Sequence, residues 1–343
     1  MVMSTQPDHS QIEKKQRKRT TLLFVGSVCF LFIVMYFNLT VGTTNMKLKD
    51  IADYLIWHHD TKNTLVIHNL RMPRMIGGLF IGAALAVAGL FMQAMTRNPL
   101  ASPQIFGVNA GASFVIVVIT IMFPALTPIS TLLAFVGAFI GGSIVYMLSD
   151  STKGMTPVKL ALAGMTVHLF FTSLTQGLIL LNEDSTTTVY FWLVGSLSTL
   201  KWGDVLSIMP WLIAAFIAAL LMARNISILE LGDELARGLG QNIKLTRLIL
   251  GILVIVLAGA SVSIAGPIGF IGLIVPHIVK YYTQNNYFVI IPLTMIFGAA
   301  ILLLSDVISR LIAYPFETPV GIVTSFVGAI YFLSLTLRGV KRV

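Results

Sequence analysis

Six histidines, one cysteine and a Glu183–Asp184 pair are the residues of this 343-residue chain whose types most often do chemistry. None sits in a pattern that such chemistry needs. Adjacent carboxylates do not converge on one substrate as an acid and a base would, so Glu183 and Asp184 read as a solvated turn. His9, His58, His59, His68, His168 and His277 show no HExxH or comparable ligand spacing, which argues against metal capture by this chain. His277 follows Pro276, where capping or packing is the simpler role. No GxxxxGK followed by Ser or Thr occurs, so any nucleotide hydrolysis belongs to another chain. Cys29 is alone and cannot form an intrachain disulfide. No nucleophile, base and orienting group can be assembled, and the chain reads as a non-enzyme.

Three other sets of polar residues stand out by their setting. Arg71 and Arg74 share the segment LRMPR, and Arg310 follows Asp306 by one helical turn. Thr166, His168, Thr172, Ser173, Thr175 and Gln176 interrupt an apolar run, where polar groups are costly unless they face water or partners. A long polar stretch, ARNISILELGDELARGLGQNIKLTR, separates two further apolar runs.

The elements that must position these residues are membrane helices. With 56% hydrophobic and 11% charged residues, the chain is an integral membrane protein, all-α because its apolar runs are continuous rather than alternating. Ten spans are predicted: Leu22 to Leu39, Ile76 to Met95, Ile105 to Phe123, Ile129 to Leu148, Val158 to Leu181, Val205 to Met222, Leu245 to Val262, Ile264 to Val279, Phe288 to Leu304 and Pro319 to Leu337. The eighth is short and holds Pro267 and Pro276. Val189 to Leu200 is too short to cross and reads as an interfacial or re-entrant piece. No A-x-A-like site follows the first run, so it is read as a retained span.

Both ends of the chain are basic, which places both in the cytoplasm and demands an even number of spans. This topology puts 16 of the 23 Lys and Arg residues inside. The rest include Arg71, Arg74 and Arg310, tight against span ends on the outer side, where the orientation rule least expects them. For Arg310 a pair with Asp306 is the structural alternative, and for Arg71 and Arg74 it is lipid-headgroup anchoring. The net charge of +9 is accounted for by orientation charges and does not imply nucleic acid. Gly78, Gly82, Ala86 and Gly89, and likewise Gly137 and Gly141, set small residues on one helix face, suited to close packing within the chain or at a dimer seam.

The polar stretch at about 224–244 falls on the cytoplasmic side. Ile228, Leu229, Leu231, Leu235 and Leu239 recur near helical spacing, and Gly232, Gly238 and Gly240 mark breaks. One or two short amphipathic helices with an apolar stripe suit docking into a groove on a soluble partner.

In order along the chain, LRMPR, GAALAVAGLFMQAMTRNPLASPQIFGVNAGA, ELARGLG, GPIGFIGLIVPHIVK and SDVISRLIAYPFETPVGIVTSFVGAIYFL resemble the FecCD-type permeases. These are membrane subunits of ATP-binding-cassette importers for ferric siderophores, haem and cobalamin. The resemblance implies a BtuC-like type II importer fold of about ten helices, with residues 1–20 a basic cytoplasmic tail and 21–343 a single transmembrane permease domain. It implies a second permease copy or sister subunit, two cytoplasmic ATPases that bind ATP and Mg, an extracytoplasmic binding protein, surrounding membrane lipid and no cofactor in the chain itself. The location implied is the bacterial cytoplasmic membrane.

By the same resemblance Arg71, Arg74 and Arg310 would meet acidic residues of the binding protein. Glu234, Ala236, Arg237, Gly238, Leu239 and Gly240 would form the coupling helix in the ATPase groove, and the Thr166 to Gln176 set would line the pathway. A ferric siderophore is the implied cargo, with haem or cobalamin as alternatives. An ion-driven secondary transporter is the rival, but it would want acidic residues within the spans, and only Asp306 comes close.

Overall fold

A computed structural model of the chain describes residues 9–42, 46–57, 61–149, 156–182, 186–283 and 286–340. Among these, the regular structure is all helical. The helices are α1 (His9–Thr40), α2 (Leu48–Ala52), α3 (Lys62–Val66), α4 (Met72–Thr96), α5 (Val108–Met122), α6 (Ser130–Ser149), α7 (Pro157–Leu180) and α8 (Thr186–Val194). They continue as α9 (Trp202–Leu221), α10 (Ala223–Glu230), α11 (Asp233–Gly238), α12 (Ile243–Ala265), α13 (Ile271–Tyr282), α14 (Tyr287–Ile312) and α15 (Val320–Val340). Glu183, Asp184, His58 and His59 lie outside the described residues.

Seven helical segments among the described residues are long and apolar enough to cross a membrane, and Val108–Met122 and Val320–Ser334 are shorter apolar helices. The predicted eighth span needs correction. Ile264 and Ala265 close α12, the chain then breaks over 266–270, and α13 has only 12 residues. At 1.5 Å per residue α13 alone covers about 18 Å, short of the roughly 30 Å of hydrocarbon, and it is the break and α13 together that return the chain to the end where α12 begins, with Lys280 meeting Glu230 there. The described part of the basic segment is helical and continuous with the first apolar run, α1 extending from His9 to Thr40.

Burial ranks the helices. The apolar stretches of α4 and α12 are 83% and 78% buried, so these two form the centre, while α1 and α9 at 22% and 28% lie at the rim. Exposed Leu132, Met147, Phe288 and Leu333 lie on outer faces, as expected where lipid is the solvent. The small-residue faces pack inside the chain: a Cβ added at Gly82 would fall 2.4 Å from the Gly298 carbonyl oxygen, and one at Gly89 only 1.7 Å from that of Gly272. Backbones meet there because neither residue has a side chain.

Two breaks interrupt the bundle. α4 ends at Arg97 in the left-handed region (φ 49°), after which the Asn98 side-chain oxygen accepts from the Leu100 N–H and the chain turns back towards the bundle. A 3₁₀ turn over Pro103–Phe106 carries it to α5, and Ile105 is pressed so close to α7 that a Cβ at Gly164 would lie 1.7 Å from its carbonyl oxygen. The second break is 266–270, where Phe270 is left-handed (φ 66°), a conformation costing about 1–2 kcal/mol outside glycine. Its ring is seated against Gly328 of α15. α8 ends against this break, with the Ser196 N–H donating to the Ala265 carbonyl at 2.8 Å and the Gly321 N–H to the Gly195 carbonyl at 3.0 Å.

Candidate functional site

A cavity of about 850 Å³ lies between α7, the first break and the start of α5. Four of the six polar residues predicted on the fifth span line it: His168, Thr172, Thr175 and Gln176. Positions 168, 172, 175 and 176 fall one turn apart and so share a face. Thr166 and Ser173 are exposed and lie outside the lining, Thr166 bonding back to the Leu162 carbonyl at 2.9 Å. The Thr175 hydroxyl likewise donates to the Phe171 carbonyl at 2.8 Å, which keeps its hydrogen bonding local.

The opposite wall holds residues that the apolar-run reading passed over: Ser102, Gln104, Asn109 and Ser113. Their signal is present in SPQIFGVNAGAS, where polar side chains recur just before and within a span, but only the inward turn at Pro103 shows that they face α7. Pro267 brings the second break to the same cavity, and Gly269 packs near the Gln104 amide. Among the described residues no Asp, Glu, Lys or Arg lines the space. Its walls offer neutral donors and acceptors, which can hold a polar solute without trapping it by charge.

At one end of the bundle lie α10 and α11. Glu230, the last residue of α10, accepts from Lys280 Nζ at 2.7 Å and from the Tyr287 hydroxyl. Asp233, the first of α11, pairs with Arg97 and with Arg247, the latter at 3.0 Å. Gly232 between them adopts φ 114°, which lets the chain turn from one helix into the other. The predicted leucine stripe divides in two. Leu229 and Ala236 are fully buried, whereas Leu231, Leu235 and Leu239 are 57–64% exposed and four residues apart. Glu234, Arg237, Gly238 and Gly240 are also exposed. A short apolar row flanked by charges therefore faces outward from a base fixed by two ion-pair groups.

At the other end, Arg71, Arg74 and Arg310 come together as one cluster, but their side chains are not free. Each is only 5–7% exposed. Fully buried Asp306 accepts from Arg74 Nε at 3.0 Å and from its Nη2 at 2.9 Å, from the Asn38 amide at 2.9 Å, and from Arg310. Arg74 also reaches Glu317 at 2.6 Å. Arg310 donates to the Asn38 and Val41 carbonyls at 2.8 and 2.9 Å, and Arg71 donates to the Leu39 carbonyl. The cluster thus fastens the end of α1 to α4 and α14, a role within the fold that charge-sidedness alone did not show. Three guanidiniums meet two carboxylates, leaving one positive charge in excess. Exposed Lys47, Lys49, Lys62 and Lys201 share this end. Asp50 stands among them, its carboxyl held below the usual range by the Asn63 amide and the Lys47 backbone N–H.

Among the described residues no group of three or more His, Cys, Asp and Glu side chains could hold a metal ion. His277 packs edge-on to Tyr331, with ring centres 6.2 Å apart. Cys29 is exposed on α1.

The model of the FecCD transport family matches residues 30–338. The chain belongs to that family. It is 46% identical over 327 residues to the Fe(3+)-citrate import system permease protein YfmD of Bacillus subtilis (strain 168), covering 95% of this chain and 97% of that protein. Identity is 38% over 320 residues to the iron(3+)-hydroxamate import system permease protein FhuB of the same organism, with 92% and 83% coverage. Against the hemin transport system permease protein HmuU of Yersinia pestis it is 34% over 324 residues, covering 92% and 96%. In structure, the chain superposes with a TM-score of 0.83 and 28% identity on an inward-facing conformation assigned to a metal-chelate type ABC transporter, over 93% of this chain and 99% of that one. As a FecCD permease it is a multi-pass membrane subunit of an ABC importer and not itself an enzyme, and ATP is bound by a partner ATPase.

Proposed function

We propose that this permease carries a ferric chelate, of the citrate or hydroxamate class, across the bacterial cytoplasmic membrane. The observation that supports this most is the cavity of about 850 Å³ lined by neutral hydrogen-bonding groups from α7, α5 and both breaks. It has room for a metal already wrapped in its ligand, and among the described residues no carboxylate lines it to strip a bare cation. The relatives' names point the same way, with ferric citrate ahead of hydroxamate and haem more distant in identity.

In this reading both termini are cytoplasmic and a second permease subunit closes the open side of the cavity, since α7 leaves Leu162, Met165, Leu169 and Phe170 about 60% exposed. The α10–α11 end faces the ATPases, with Leu231, Leu235 and Leu239 as the apolar anchors and Glu234, Ala236, Arg237, Gly238 and Gly240 around them. The cationic end receives the binding protein. There Arg71, Arg74 and Arg310 supply field and rigidity from within, while the exposed lysines offer direct contacts.

Leu235→Asp puts a charge in the proposed ATPase groove without touching the bundle. It is expected to weaken permease–ATPase association by roughly tenfold or more, in proportion to loss of an interface anchor. Titration of the purified subunits in detergent measures this, and an unchanged affinity overturns the docking assignment. In the cavity, His168→Leu and Gln176→Leu are expected to lower ferric-citrate uptake while association with the ATPase stays as in the parent chain.

A further inference from the structure

α13 is a short rod held at both ends by different machinery. At its C-terminal end Lys280 donates to Glu230 at 2.7 Å and stands 5.4 Å from the centre of the Tyr287 ring, while the Tyr287 hydroxyl donates to the same carboxylate oxygen. Tyr287 is fully buried, and Glu230 and Lys280 are about three-quarters covered. At its N-terminal end α13 begins directly after 266–270, the break that brings Pro267 to the cavity and Gly269 against Gln104. Along its side it meets α4 backbone to backbone, Gly272 against Gly89, with the Gln93 amide of α4 donating to the Leu273 carbonyl at 3.1 Å and Pro103 packed on Gly272. A helix so placed, joined to α10 at one end and to the cavity break at the other, can pass a tilt between them through the small shear that packed helices allow.

We infer that Glu230, Lys280 and Tyr287 form the joint through which α10 and α11 move α13 and so reshape the cavity wall at the second break. They act as positioning residues and contact no cargo. The inference rests on the reading that α10 and α11 face the ATPase. Asp233, bonded to Arg97 and Arg247, ties α11 to the ends of α4 and α12, the central helices, and so serves as the fixed side of the hinge.

The test uses the permease assembled with its ATPase in lipid nanodiscs, with Cys29→Ser and spin labels at Met165→Cys on α7 and Leu273→Cys on α13. Distance distributions are recorded without nucleotide and with ATP and vanadate. The parent chain is expected to show a nucleotide-dependent shift, Glu230→Ala to lose it, and the exchanged pair Glu230→Lys with Lys280→Glu to regain it. A merely structural ion pair would lower thermal stability and leave the shift in place. A shift that persists in Glu230→Ala, or one absent from the parent chain, overturns the joint. Failure of a Leu235→Cys label to cross-link to the ATPase overturns instead the reading on which it rests.

Discussion

Asp306→Ala is expected to cost about 3–5 kcal/mol of stability, because it leaves buried guanidiniums without their common partner. Arg74 and Arg310 are 7% and 5% exposed and cannot reach water without unpacking the end of α1. The Arg310 Nε already lacks a partner, so the cluster has no spare acceptor to take over. The measurement is the midpoint of thermal aggregation in detergent, read by size-exclusion chromatography. Removing charge together with partner should recover part of the loss, so Asp306→Ala with Arg310→Met is expected to melt above Asp306→Ala alone. Equal stability of Asp306→Ala and the parent chain would show that the cluster does not fasten α1. Charge reversal at Arg71 or Arg74 should damage folding for the same reason. Tests of binding-protein docking therefore belong at Lys47, Lys49 and Lys62.

Gly89→Val is expected to be the next most severe change, at about 3 kcal/mol or more, as overpacking against immovable atoms. The obstruction is the Gly272 carbonyl, 1.7 Å from where the Cβ would stand, and backbone cannot rotate away as a side chain can. α13 would be driven from α4, and the cavity break would move with it. Gly26→Ala on α1 is the matched control, since nothing lies within 4 Å of its Cβ position and alanine favours a helix by about 0.5–1 kcal/mol. The same thermal measurement separates the two. A Gly89→Val chain as stable as Gly26→Ala would mean that the two backbones do not meet.

The helices and their order were readable because lipid forces long apolar runs, and each predicted span except the eighth has a helix at its place. Where the runs broke, legibility failed. Pro267 and Gly266 signalled trouble in the eighth span, but apolarity on both sides of the break hid the fact that Ile264 belongs to the helix before it. On the fifth span, polarity marked six candidates without giving depth or angle, and only His168, Thr172, Thr175 and Gln176 share the cavity face. Gln104, Asn109 and Ser113 were missed because a turn, not a period, aims them. The arginines stood out in the sequence as ill suited to orientation charges, and the structure gives each a partner inside the fold. The partners that bury them are remote in sequence, Asn38 lying 272 residues from Arg310 and Glu317 lying 243 from Arg74, so burial was invisible. The leucine stripe at 228–239 was legible as amphipathic, but its division into a buried Leu229 and an exposed Leu231, Leu235 and Leu239 depends on Gly232 turning the chain.

The most direct test of transport coupled to a partner ATPase is uptake by proteoliposomes holding this permease with its ATPase, its binding protein outside and radiolabelled ferric citrate as the probe. Uptake is expected only with ATP on the ATPase side, and it should vanish when residues 234–240 are replaced by a Gly/Ser linker. Uptake that proceeds without ATP, or survives that replacement, would contradict the importer reading.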